Sequence, residues 1–232
     1  MTDTPDTAGR DRGCAFFGTV TAGLSHELNN VFATINELSG LLGDLAAAGQ
    51  RGRPMDPQRL ESISHRISVQ VERGQHQTKR LNRFAHSVDE RGGHTDLNTV
   101  SQEALALFER VARLRKVELE SVLPDGPLPT PTEPFELYQL VWRSLEVAVG
   151  IVGEKSQLEL QARPTADGPE LRIASGHPVS NAAPPTELVS ALQELVAKLG
   201  GQLSFGPKPG GMFCLTVLLP KSPTSGMGEV GP

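Results

Sequence analysis

The chain lacks most of what would take it out of a reducing, aqueous compartment. Of its 232 residues only Cys14 and Cys214 are cysteine, far apart and in no CxxC pair. That spacing argues against a disulfide framework or a cysteine metal clip and favours a reducing compartment. Excess positive charge is missing as well. Lys and Arg total 22 against 27 Asp and Glu, leaving a net charge of -5, so no basic field invites nucleic acid or an anionic membrane surface. No run approaches the roughly 20 apolar residues of a membrane span, and the opening MTDTPDTAGRDRG has no apolar stretch of a signal peptide. The expectation is a cytoplasmic protein with no membrane and no nucleic-acid partner. Aromatics make up 4% of the chain and hydrophobic residues 38%, a balance that suits a helix-rich protein with thin aromatic cores.

Glycine and proline are not scarce, and they punctuate the chain. Residues 1–12 and the tail 221–232 are rich in Gly, Pro, Ser and Thr and are expected to be disordered. Between them lie a helical region, 13–90, and a mixed region, 95–220, separated by Arg91-Gly92-Gly93. Two long helical patterns in the first region meet at AAAGQRGRPMDP, where Asp56-Pro57 forms an N-cap and first-turn pair.

The first helix carries apolar residues at Phe17, Val20, Leu24, Leu28, Val31, Ile35, Leu38, Leu42 and Leu45. Their spacings of three and four make a seam for another helix. The second pattern places Leu60, Ile63, Ile67, Val71, Gly74, Thr78, Leu81, Ala85 and Val88 on its seam. An antiparallel hairpin of this length leaves apolar surface over, so two copies are expected to form a dimeric four-helix bundle. From residue 95 onward the expected order is a helix at 101–115, a strand at 117–123 and a helix at 135–151. Strands at 157–163 and 170–174 then flank Asp167-Gly168, before a helix at 186–199 and strands at 202–206 and 212–219. This order implies a two-layer α/β sandwich, and the whole is α+β.

The string Ser25-His26-Glu27-Leu28-Asn29-Asn30 lies within the first helix. At about 100° per residue His26 sits roughly 200° round from Leu24 and 160° from Leu28, facing solvent. Asn30, one turn on, shares its face. A solvated polar face needs no function to explain it, and the residues alone leave both readings open. Other constellations are plainer. His65, His76, His86 and His94 follow no metal-ligand spacing and read as surface or bundle residues. Trp142 and Tyr138 read as core or interface residues of their helix.

The order of parts, together with Gly23-Leu24-Ser25-His26-Glu27-Leu28-Asn29-Asn30, resembles the cytosolic core of two-component histidine kinases. In that family a dimerising helical hairpin bears the phospho-accepting histidine and precedes an ATP-binding α/β sandwich. The resemblance spans about 14–220 and implies that His26 is the acceptor. It also implies that Glu27 orients its ring or takes its proton, and that Asn30 orients water for hydrolysis of a partner's phospho-aspartate. Val31-Phe32 departs from the family's usual Pro-Leu.

The nucleotide boxes depart further. Arg143 and Val147 stand where two magnesium-holding asparagines are expected, and a valine offers Mg²⁺ no oxygen. Ala174 replaces the adenine-binding Asp before Ser175-Gly176. His177–Thr186, about ten residues with no glycine, fills the place of a long lid. The chain therefore looks like the histidine phosphotransferases of phosphorelays, whose second domains are degenerate. The resemblance then implies that it binds no cofactor or metal of its own, that Mg²⁺ comes with a partner receiver domain, and that response-regulator receivers and a second copy are its partners. The alternatives are an ATP-dependent sensor kinase core with an unorthodox site, or a non-catalytic pseudokinase scaffold.

Overall fold

The computed structural model describes residues 7–90, 92, 94–179, 186–208 and 211–221. The chain divides into two compact units, 1–86 and 87–232.

The first unit is a helical hairpin. Helix α1 runs Thr7–Gln50 and α2 Pro57–His86. Neither contains an internal proline, and at 1.5 Å per residue α1 is about 65 Å long. Helix begins at Thr7, so residues 7–12 continue α1 where a disordered start was expected. The rest of that expectation, 1–6, and the tail from 222 lie outside the described residues. The connection closes on Gly52, whose φ of 82° suits a residue without Cβ. Asp56 then caps α2, its Oδ1 accepting from the Gln58 N–H at 3.0 Å.

Phe16, Val20, Leu24, Val31 and Leu38 form the buried stripe of α1, with Leu28, Ile35 and Leu42 half-buried beside it. On α2 the buried residues are Ile63, Gln77 and Phe84, with Ile67, Gln70, Gly74 and Leu81 half-buried between them. This stripe is rotated from the expected one. Val71, Thr78 and Val88 are exposed, and Gln77 and Phe84 are inside. Phe84 is edge-on to Phe16, with centroids 5.5 Å apart, and stacks on Phe17 at 5.4 Å. Gly74 breaks the apolar pattern for a reason. A Cβ there would lie 3.3 Å from Val31 Cγ1, so the glycine lets the helices approach.

The second unit is a two-layer α/β sandwich. A short ribbon pairs β1 (Thr95–Asp96) with β3 (Pro129–Thr130). Helix α3 runs Leu97–Leu114, β2 Glu118–Val122 and α4 Pro134–Val152. Then come β4 (Gln157–Pro164), β5 (Pro169–Pro178), α5 (Thr186–Lys198), β6 (Gln202–Lys208) and β7 (Met212–Leu218). The five-stranded sheet is ordered β2-β4-β5-β7-β6, parallel at β2-β4 and antiparallel elsewhere. Leu160, Ile173, Leu215 and Val217 fill its inner face with Phe108 of α3, Leu145 of α4 and Leu192 of α5. Trp142 and Tyr138 are core residues, and Trp142 meets Phe108 edge-on at 4.8 Å.

Two local features differ from the expected elements. Helix α3 starts four residues earlier because Asp96 caps it, accepting from the Asn98 and Thr99 N–H groups. The same carboxylate accepts from the Leu128 N–H at 2.7 Å, pinning the proline-rich loop. Strand β5 runs on through Ser175-Gly176-His177-Pro178, four residues past its expected end at 174. Ser175 Oγ donates to the His177 carbonyl and accepts from the Phe213 N–H, holding an irregular stretch against β7. At the β4-β5 turn Gly168 has φ 148°, and a Cβ would collide with the Leu219 carbonyl.

Candidate functional site

His26 is exposed on α1, on the side away from Leu24 and Leu28. Its Nδ1 lies 3.2 Å from the Asn30 side-chain nitrogen, a contact between neighbouring turns of one helix face. Asn30 is itself exposed, and its carbonyl accepts from the Thr34 hydroxyl at 3.0 Å. The helix thus offers an imidazole with one nitrogen hydrogen-bonded and the other toward solvent.

Glu27 takes a different direction. It is half-buried, and its Oε2 accepts from Gln77 Nε2 at 2.8 Å across the hairpin. A half-buried carboxylate needs a donor, and a buried amide supplies one here. Of the three expected site residues, His26 and Asn30 are brought together, while Glu27 is tied to α2.

The opposite helix adds charge. Arg59, Arg66, Arg73 and Arg80 recur every seven residues along α2 and so share one stripe. The first three are exposed and Arg80 is half-buried. Among the described residues none of the four forms an ion pair. Arg73 and Arg80 flank Gln77, which faces Glu27, so they lie level with the His26 turn. Val71, Gln75 and Thr78 occupy the other side of α2. With Leu28, Val31, Phe32 and Ile35 of α1 they line a groove of about 610 Å³. Phe32 in it is 61% exposed. The hairpin therefore has an apolar face and, opposite, a basic face beside Asn30. The arginine repeat is legible in the sequence as a period of seven, but a search for apolar seams passes over it.

In the second unit Val147 is fully buried in the core of α4. Arg143 pairs with Glu146 at 2.7 Å, both partly buried. Neither Arg143 nor Val147 carries a side-chain oxygen, the atom Mg²⁺ binds. Ala174 is buried in β5. Of the expected lid remnant, residues 180–185 lie outside the described residues. Among the described residues no group of three His, Cys, Asp or Glu could hold a metal ion, and no helix is long and apolar enough to cross a membrane. The exposed His65, His76, His86 and His94 are surface residues.

No family model and no curated protein matches the chain. Among solved structures, the catalytic domain of histidine kinase ThkA is 15% identical over 58% of this chain and 99% of its own, with a TM-score of 0.49. The cytoplasmic segment of histidine kinase QseC is 18% identical over 57% of this chain and 80% of its own, with a TM-score of 0.46. The Acinetobacter baumannii histidine kinase AdeS is 15% identical and spans 85% of this chain and 98% of its own, with a TM-score of 0.47. At these values the likeness is distant, and the fold class rests on the elements themselves.

Proposed function

We propose that the chain is a histidine phosphotransferase of a two-component phosphorelay. His26 accepts a phosphoryl group from the aspartyl phosphate of one response-regulator receiver and passes it to another. The observation that carries this reading is a solvent-facing imidazole, held by Asn30 on the flank of a helical hairpin, in a chain whose α/β unit has a buried valine where a magnesium ligand would be needed.

Neutral imidazole is a nucleophile near pH 7, and its phosphoryl adduct transfers readily. Phosphoryl transfer depends on positioning and on neutralising charge. In this scheme the receiver supplies its own Mg²⁺ and carboxylates, so the chain holds no nucleotide or metal. Two copies associate through the apolar groove into a four-helix bundle, leaving each His26 outside. The basic stripe on α2 favours a receiver with an acidic face.

The test sets two donors side by side. Phosphorylated receiver is expected to label the wild-type chain, and the label should pass to a second receiver. His26→Ala should take none. Incorporation from ATP and Mg²⁺ alone would make the chain a kinase instead. Receiver binding without any exchange, unchanged in His26→Ala, would make it a scaffold.

A further inference from the structure

We propose that Asn30, rather than Glu27, sets the tautomer of His26. Its amide oxygen accepts from Nδ1–H and leaves the Nε2 lone pair facing solvent as the point of phosphoryl attachment. Asn30 is then a positioning residue, and the phosphoryl step rests on the phosphohistidine reading above.

Two observations put Asn30, and not Glu27, beside the ring. The Asn30 side-chain nitrogen is 3.2 Å from Nδ1, so the proposed bond needs the amide turned over at that contact. Glu27 lies about 100° round the helix from His26, and its Oε2 is engaged by Gln77 on the other helix at 2.8 Å. Gln77 is only 5% exposed, so that engagement sits in the hairpin interior and holds the carboxylate inward. A half-turn of the amide exchanges its oxygen and nitrogen at the same contact. With nitrogen toward Nδ1, the ring carries its proton on Nε2 and the outward nitrogen has no lone pair to offer. With oxygen toward Nδ1, the proton is held at Nδ1 and Nε2 is nucleophilic. Only the second arrangement puts a lone pair where a receiver can reach it.

The chemistry then balances without a base. The Nε2 lone pair attacks phosphorus, the N–P bond forms, and the P–O bond to the receiver's aspartate breaks. The electron pair leaves on that carboxylate. The ring becomes an N-phosphoimidazolium that still bears Nδ1–H, bonded to the amide oxygen. With that proton in place the ring is a good leaving group when a second aspartate attacks, and the same Nδ1–H serves the reverse step.

The test reads the tautomer directly. In full-length chain with ¹⁵N-labelled histidine, at about pH 8 where imidazole is neutral, two-bond ¹H–¹⁵N spectra separate protonated from unprotonated ring nitrogens. Comparison with His26→Gln assigns the His26 signals. The wild type is expected to be protonated at Nδ1. Asn30→Ala, checked for unchanged helicity, should revert toward the Nε2–H form that free imidazole prefers. Asn30→Asp, which can only accept, should keep the wild-type pattern. A wild-type ring protonated at Nε2, or one unchanged in Asn30→Ala, overturns the proposal. In the transfer assay, labelling of Asn30→Ala should fall about tenfold, roughly the worth of one good hydrogen bond. Phosphate found on Nδ1 by ³¹P spectroscopy overturns the inference and spares the phosphotransferase. The expected tautomer with no labelling from any receiver removes the phosphotransferase and leaves the role of Asn30 standing.

Discussion

Gln77 donates to Glu27 across the hairpin at 2.8 Å, a polar pair in a seam otherwise closed by Leu24, Val31, Ile63 and Phe84. The second Gln77 atom, Oε1, is buried without a partner among the described residues. The pair thus fixes register while leaving one polar atom unsatisfied. Replacing Gln77 by Ala removes one buried hydrogen bond to the carboxylate and should cost about 1–3 kcal/mol in urea unfolding. Gln77→Glu sets two carboxylates against each other. Its destabilisation should exceed that of the alanine variant at pH 7 and shrink on acidification, as one of the two takes a proton. A Gln77→Glu variant whose stability does not recover toward pH 4–5 would show that the pair is not in contact.

The aromatic end of the hairpin is the second place to probe. Phe84 is fully buried between Phe16 and Phe17. Phe84→Ala should destabilise by about 3–5 kcal/mol. Gly74→Ala is expected to be near neutral. Alanine gains up to about 1 kcal/mol of helix propensity, but its Cβ would press on Val31 at 3.3 Å. Gly74→Leu should separate the helices and lower the midpoint of thermal unfolding well below that of Gly74→Ala.

These two residues also show what the sequence can and cannot reveal. Hydrophobic periodicity alone puts Val71, Thr78 and Ala85 on the α2 seam. The helix instead turns Ile67, Gln70, Gly74, Gln77, Leu81 and Phe84 inward, a strict alternation of four and three. Following apolar residues replaces Gln70, Gln77 and Phe84 by their neighbours Val71, Thr78 and Ala85, while Ile67, Gly74 and Leu81 belong to both stripes. The displaced residues still matter, because Val71 and Thr78 line the second, outward groove. Two adjacent seams exist on α2, and composition ranks the wrong one first. In the α/β unit the elements follow their patterns closely, since alternating strands buried on one face leave little ambiguity. The pairing of β1 with β3 escapes notice because two-residue strands have no period. The position of His26 is readable because it depends only on the angle to Leu24 and Leu28. The partner of Glu27 is not, because Gln77 is 50 residues away.

Asp96 gives a pH handle on the second unit. Burial by itself would raise its carboxyl. The Thr99 hydroxyl and the N–H groups of Leu128, Thr99 and Asn98 outweigh that and hold it below the usual carboxylate value. The folded group therefore loses its proton at lower pH than the unfolded one. Its stabilisation is complete above the unfolded value and is lost as pH falls through the folded one. Asp96→Asn, which keeps a helix cap, should flatten the acid limb of stability below about pH 4. Asp96→Ala should cost about 1–2 kcal/mol at neutral pH. An acid limb as steep in Asp96→Asn as in the wild type would deny the carboxylate this role.

The basic stripe predicts how a partner arrives. Arg66, Arg73 and Arg80 lie along one side of α2 without ion pairs among the described residues. Exposed charges act mainly on association rate and are screened by salt. Reversing the exposed Arg66 and Arg73 to Glu should therefore slow labelling by a phospho-receiver about tenfold or more at low ionic strength. The deficit should narrow as salt is raised, with unfolding free energy little changed. Equal rates at low salt would detach the stripe from recognition.

The apolar groove predicts how the chain is assembled. Phe32 at 61% exposure and Val71 at 43% are large side chains left in water on the face opposite the arginines. Burying a side chain of this size is worth about 1.5–3 kcal/mol. These two, with the half-buried Leu28 and Ile35 beside them in the groove, are doubled by the symmetry of a two-fold contact. Ile35→Asp or Phe32→Lys should therefore shift sedimentation from dimer to monomer at micromolar concentration. His26→Ala, on the far side of α1, should leave the dimer intact. If either groove variant sediments like the wild type, the hairpins do not meet through this face. If His26→Ala dissociates the dimer, the histidine is not on the outside of the bundle, and phosphoryl transfer to it would need the copies to separate first.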